Sequence, residues 1–241
     1  MSRFLHLILV ALCALSVMTP TYAADDELDE LQGKLGNEWI LVKNDQRRHI
    51  KTYAKQEDGK RFRSFKVEAT IDSTMEAGVR VLLDAENYTK WYWEVEHSRM
   101  LKRVSDTEYY IYLKHRAPYG LPDRDVILHA IVEPQTKTKN YITLRVKAAP
   151  DFIPKEPLLV RMPAEDMTVT FTPLGNNKVR LEGEGYVDPG GKVPTWANNY
   201  IQRNAPYSIL IGLVRMMGSD TYRNSKVPMP FPISNNPTPE S

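Results

Sequence analysis

Cysteine is almost absent from this chain. Its 241 residues include a single one, Cys13, and that one lies in an apolar N-terminal run. The run, Leu5 to Val17, follows the positive Arg3 and precedes Thr21-Tyr22-Ala23-Ala24. This is the layout of a secretory signal peptide. At about 13 residues it falls short of the roughly 20 needed to cross a bilayer core. Residues 1–23 are therefore expected to be a leader cut after Ala23, or one residue later. Cys13 stands between Leu12 and Ala14, without the small residue that a lipoprotein signal needs before its cysteine. The mature chain then has no cysteine, which excludes disulfides, a thiol nucleophile and a cysteine metal site. A cysteine-free exported domain fits a bacterial periplasm, and that is the expected location.

An excess of either charge is also missing. The chain has 32 Lys and Arg against 30 Asp and Glu. That balance offers no electrostatic footprint for nucleic acid. No second apolar run approaches transmembrane length. There is no Gly-x-Ser-x-Gly, no dinucleotide fingerprint and no phosphate loop, so nucleophilic and cofactor chemistry lack their usual motifs. The mature histidines, His49, His97, His115 and His129, show no metal spacing. Neither a metal nor a cofactor is expected. His115 and His129 fall on predicted strands, where they can face each other.

What is present reads as one domain, residues 24–218, followed by a Pro-rich, flexible tail at 219–241. Leu28, Leu31 and Leu35 are at helical spacing and predict a short helix over 25–36. Strands are predicted at 39–42, 50–54 and 62–71. Asp72-Ser73-Thr74 then offers an N-cap, with Glu76 placed for a capping box, ahead of a helix ending near Asp84. An aromatic cluster follows: Tyr88, Trp91, Tyr92 and Trp93. Further strands are predicted near 99–104, 108–115, 124–133, 140–147, 166–172 and 178–187. After Asp188-Pro189-Gly190-Gly191 the period becomes helical, with Trp196, Tyr200, Tyr207, Leu210, Val214 and Met217 on one stripe. Pro206 inside that run predicts a kink or a split. Strands grouped before a terminal helix argue for α+β, a curved antiparallel β-sheet with the helix against it.

At the last strand-to-helix junction, Gly185-Tyr186-Val187-Asp188-Pro189-Gly190-Gly191-Lys192-Val193-Pro194-Thr195-Trp196 resembles START domains, the steroidogenic-acute-regulatory-related lipid-transfer family. Leu121-Pro122-Asp123-Arg124-Asp125-Val126 resembles that family's Pro-x-Arg-Asp-Phe strand start. Trp91, ten residues before Leu101, matches the tryptophan that opens its first long hairpin. The three motifs stand in family order, and the resemblance spans roughly residues 30–218. It implies a helix-grip fold, a curved sheet wrapped around a long C-terminal helix and enclosing a tunnel for one lipid. The family's buried ionisable pair would fall at Ile111 and Ala130. Neither is charged, so that polar handle is not carried over.

On this reading the ligand-binding candidates are the alternating strand residues Val126, Leu128, Ala130, Ile142, Leu144 and Val146. The last helix adds Trp196, Tyr200, Tyr207, Leu210, Val214 and Met217. Structural roles are expected for Arg124 and Asp125, as a bidentate pairing that fixes the strand start, and for Asp188, Gly190 and Gly191 in a tight turn. No catalytic residue is expected. The partner would be a lipid or sterol-like ligand, with transient membrane-surface contact, carried by a monomer. The three-proline segment 148–158 is expected as a loop beside the cavity mouth, opening with the last helix. Two rival readings differ in class. A cyclase-like enzyme would need convergent polar groups such as Arg124, His129, Tyr110 and Tyr112, and a sensor module would need a protein partner.

Overall fold

The computed structural model describes residues 36–118 and 120–237. The expected leader and the helix expected over 25–36 lie outside the described residues, apart from Gly36. The elements are β1 (Ile40–Asp45), β2 (Ile50–Lys55), β3 (Ser64–Ile71), α1 (Met75–Leu83), β4 (Val95–Arg103) and β5 (Glu108–His115). They continue with β6 (Arg124–Glu133), β7 (Ile142–Ala148), β8 (Val160–Arg161), β9 (Ala164–Gly175), β10 (Lys178–Asp188), α2 (Thr195–Met217) and α3 (Asp220–Arg223). A 3-10 turn, Ala85–Lys90, leads from α1 towards β4.

One sheet takes all the strands, in the order β1-β2-β3-β10-β9-β7-β6-β5-β4. Every pairing along that path is antiparallel. The exception is off the path, where the two residues of β8 run parallel to the start of β6. The alternation read from the sequence is the physical basis of this sheet. Successive side chains point to opposite faces, and on β7 Ile142, Leu144 and Val146 turn to the core. A sheet of this kind has one apolar face to bury, and the helices α1 and α2 supply the cover.

The cap of α1 is Thr74, whose Oγ1 accepts from Ala77 N at 3.1 Å. Ser73 is left out of the cap, and the expected capping box does not form. Its Oγ instead donates to the Met217 carbonyl at 3.0 Å, tying the start of α1 to the end of α2. Glu76 pairs with Arg80 one turn on. Helix α2 runs unbroken through Pro206, so the expected split does not occur. Proline leaves the Gln202 carbonyl without its helical donor, and tertiary packing on both sides of α2 outweighs that loss.

The expectation of a flexible tail is corrected over 219–237. Tyr222 and Phe231 are buried in the core. The Tyr222 hydroxyl donates to Asp84 Oδ2 at 2.8 Å. Asn235 Oδ1 accepts from Glu76 N at 3.2 Å, and Ser234 N donates to Gln135 Oε1 at 2.7 Å. Low apolar content overall suggested no packing, but two aromatic anchors and side-chain bonds at both ends suffice to hold it.

Candidate functional site: an apolar cavity under the last helix

Between the sheet and its helices lies a cavity of about 250 Å³. Nine strands, all but β8, contribute to its wall together with α1 and α2. The floor is largely aliphatic and aromatic: Tyr109, Ile111, Leu128, Ala130, Leu144, Val146, Val169 and Phe171 all face it. A volume near the roughly 300–1,000 Å³ of pockets for organic molecules, with an apolar wall and a few polar groups, is the form of a small-molecule site.

The structure places six of the twelve candidates on this wall: Leu128, Ala130, Ile142, Leu144, Val146 and Leu210. Val126 is fully buried but does not reach the cavity. The other five, all on α2, need correcting. Trp196 and Tyr200 are exposed, at 55% and 49%. Tyr207 and Val214 are half-buried away from the cavity, and Met217 is buried without reaching it. The face of α2 that does line the cavity is Asn198, Ile201, Gln202, Ala205, Pro206, Ile209, Leu210 and Leu213. At about 100° per residue, Trp196, Tyr200, Tyr207 and Val214 lie roughly 130–170° round the helix from the middle of that stripe. Apolar and aromatic residues occur all round α2, so helical periodicity alone picks no face.

The aromatic stripe has other work. Tyr207 donates to Asp45 Oδ2 at 2.6 Å, and Lys43 Nζ sits 3.6 Å from its ring centroid. The ring of Tyr200 lies 6.0 Å from that of Trp93. These contacts fasten the outer side of α2 to β1 and to the aromatic segment. The Tyr207 hydrogen bond, then that of Arg48, lowers the Asp45 carboxyl from 3.8 to about 2. A carboxyl depressed in the folded state adds stability above its unfolded value, lost as pH falls through the folded one. Tyr207→Phe should therefore raise the Asp45 pKa toward 3.8. The difference in melting temperature from wild type should be present at neutral pH and fade below about 4, towards 2. An NMR titration of Asp45 reads the first effect, and a pH series of melts reads the second. An unmoved carboxyl would remove the hydrogen bond as its cause.

Asp125 does form a bidentate pair, but not with Arg124. Its partner is Arg161 of β8, Nε to Oδ1 and Nη2 to Oδ2, both at 2.9 Å. The same guanidinium donates to the carbonyls of Pro150, Ile153 and Pro154. Arg124 turns to the cavity wall and donates through Nη1 to the Pro122 carbonyl. The turn residues sit where the sequence puts them. Asp188 Oδ1 accepts from Gly190 N at 2.8 Å, and Gly190 and Gly191 have φ of 68° and 59°. At Gly190 a Cβ would meet the Arg161 carbonyl oxygen at 3.0 Å.

The segment 148–158 is not at the mouth. None of its residues lines the cavity. Phe152 stacks on Tyr110 at 3.9 Å, and Tyr110 on His129 at 4.5 Å. Since Tyr109 and Ile111 face the cavity, Tyr110 faces away from it. The segment thus covers the far side of β5 and β6, where it buries Asp125 and Ile127. His115 and His129 do not face each other: His115 lines the cavity opposite Arg124, and His129 pairs with Glu108 on the far face. Tyr110, Tyr112 and His129 are absent from the wall, leaving Arg124 alone of the four polar groups offered for the cyclase-like reading.

Sequence reasoning missed the cavity's polar wall. Glu165 is 98% buried there, 2% exposed, and accepts from the Tyr92 hydroxyl at 2.6 Å. Tyr92 is held by Tyr88, stacked at 5.8 Å, and by the edge of Trp91 at 5.3 Å. Its hydroxyl is pushed well above the usual phenol value, first by burial and then by the charge of Glu165. The polar handle absent at Ile111 and Ala130, both on the wall, is supplied from β9 and the aromatic segment. An aromatic cluster before β4 was the only signal for it. Among the described residues no cluster of His, Cys, Asp and Glu could hold a metal ion, and no helix is long and apolar enough to cross a membrane.

A scan against protein-family models finds no match. An uncharacterized protein of Pseudomonas aeruginosa is 25% identical over 180 residues, 74% of this chain and 86% of the relative. A STAR-related lipid transfer protein of Xanthomonas axonopodis superposes with a TM-score of 0.68 at 30% identity, over 75% of this chain and 99% of that one. Human StAR-related lipid transfer protein 5 superposes with a TM-score of 0.61 at 15% identity, over 79% of this chain and 92% of that one, a likeness of fold. With its single sheet gripping α2 over an apolar cavity, this chain belongs to the STAR-related lipid transfer, or START, domain family.

Proposed function

We propose that this chain holds a lipid or other apolar small molecule in its cavity and carries it between membranes in the periplasm. The observation that carries the reading is the cavity itself, walled by nine strands and two helices with mostly apolar side chains. Each methylene moved there from water contributes roughly 0.8 kcal/mol, so an acyl chain or fused-ring body binds with few polar contacts. The Xanthomonas relative, a STAR-related lipid transfer protein, supports the same reading. Export rests on the leader-like segment at residues 1–23 alone.

Ala130 gives the sharpest test, because it is a small side chain on the wall and is itself buried. In Ala130→Phe the ring takes up ligand space, and losing contact with two or more methylenes weakens binding about tenfold or more. Delipidated mature protein should take up a fluorescent fatty-acyl lipid and pass it from donor to acceptor vesicles. The variant should do both poorly. Wild-type protein that takes up no such lipid would end the proposal, while uptake without vesicle transfer would end its carrier part. Intact mass of the protein from a periplasmic fraction checks cleavage after Ala23.

A further inference from the structure

Six buried side-chain polar atoms have no hydrogen-bond partner among the described residues, and four of them belong to the cavity wall. The four are Trp91 Nε1, His115 Nε2, Glu165 Oε2 and Gln202 Oε1. Buried polar atoms are nearly always satisfied, and each exception calls for an explanation. Their gathering at one cavity points to polar groups of the ligand.

Glu165 and His115 carry this furthest, because their mutual geometry is given. Glu165 Oε1 is taken by the Tyr92 hydroxyl, which the raised phenol pKa keeps as a donor. Glu165 Oε2 is left facing His115 Nε2 at 3.7 Å. That is too long for a hydrogen bond, and a ligand oxygen about 2.8 Å from each atom would bridge the two. With His115 protonated at Nε2, the oxygen must donate to a carboxylate and accept from an imidazole N–H. A hydroxyl does both, an ether oxygen can only accept, and a ligand carboxylate would meet the charge of Glu165 in a low dielectric. The ring of His115 is steadied by the edge of Tyr92, with centroids 5.9 Å apart, and Glu165 is held in the β9–β10 ladder opposite Val187.

We propose that Glu165 Oε2 and His115 Nε2 bind an alcohol hydroxyl of the ligand, so that the cargo is an apolar molecule with a free hydroxyl at its polar end. The proposal rests on the lipid-cavity reading and names the ligand class of that same site.

The test uses the delipidated mature chain loaded with N-phenyl-1-naphthylamine, a neutral fluorescent probe. It is displaced with hexadecan-1-ol, hexadecyl methyl ether or palmitate. Leaving a buried acceptor unmet should make the ether, and the like-charged palmitate, displace about tenfold or more less effectively than the alcohol. Glu165→Gln keeps the shape but presents an amide donor, so the gap between alcohol and ether should nearly close. Glu165→Leu removes the acceptor and should close it too, with thermal melts reporting that each variant is folded. Equal displacement by alcohol and ether in wild type, as when water satisfies both atoms, would overturn the assignment. So would a gap that survives in either folded variant. If the probe never enters, the cavity reading itself falls, which is a separate result.

Discussion

Gly212→Ala is expected to destabilise this protein by about 1–3 kcal/mol or more, the usual penalty for overpacking. In an exposed helix interior the same change would stabilise by about 1 kcal/mol, because alanine is the better helix former. The sign reverses because Gly212 is where α2 crosses the segment before β4. A Cβ there would overlap the carbonyl oxygen of Trp91 and stand 3.0 Å from its carbonyl carbon and 3.2 Å from its Cα. These are backbone atoms, so no rotamer change relieves the overlap, and α2 must lift. Nearby, Arg215 Nη2 donates to the Lys90 carbonyl at 2.6 Å, tying α2 to the same segment. Lifting the helix strains that tie and opens the cavity beneath Leu213 and Ile209. Urea unfolding reads the effect as a lower midpoint, and a midpoint equal to or above wild type would show that the crossing is looser than drawn.

Arg161→Ala is expected to be the most damaging single change outside the helix crossing. The Arg161–Asp125 pair is almost fully enclosed, with side chains 2% and 1% exposed. Removing the cation leaves a buried carboxylate without its counter-charge, a loss of about 3–5 kcal/mol for pairs of this kind. It also strips the carbonyls of Pro150, Ile153 and Pro154 of their donor, so the covering segment detaches from β5 and β6. For a domain of this size the melting temperature should fall by roughly 6–20 °C. Replacing both partners together, Asp125→Leu with Arg161→Met, should recover a large part of that fall, since no lone charge remains buried. Calorimetry of the three variants checks this. A double variant no better than Arg161→Ala would mean that the segment, rather than the charge balance, carries the stability.

Some of this was legible in the residues. Strands β5 and β6 fall on their expected limits, because long runs alternate in polarity and turn residues bracket them. Ala130, Leu144 and Val146 reach the cavity wall for the same reason, period two being unambiguous once one face is apolar. The turn at Asp188 to Gly191 was legible because adjacent glycines at positive φ leave few alternatives. On α2 the argument failed, since a helix with apolar residues all round needs its neighbours to say which side is which. The tail failed differently: composition averaged over 219–241 hid Tyr222 and Phe231.

The residues by themselves determined the order of the long strands and of α1 and α2, the sheet-plus-helix class and the lack of thiol chemistry in a chain cut after Ala23. These are local properties, set by alternation, turn chemistry and composition. Only the tertiary structure decided which face of α2 looks inward, that Asp125 pairs with Arg161 rather than with its neighbour Arg124, and that Glu165, His115 and Tyr92 meet in one wall. Those residues lie 36, 50 and 73 positions apart in the three pairings Asp125–Arg161, His115–Glu165 and Tyr92–Glu165. Strand order and register bring them together, and no local pattern encodes a meeting across that distance.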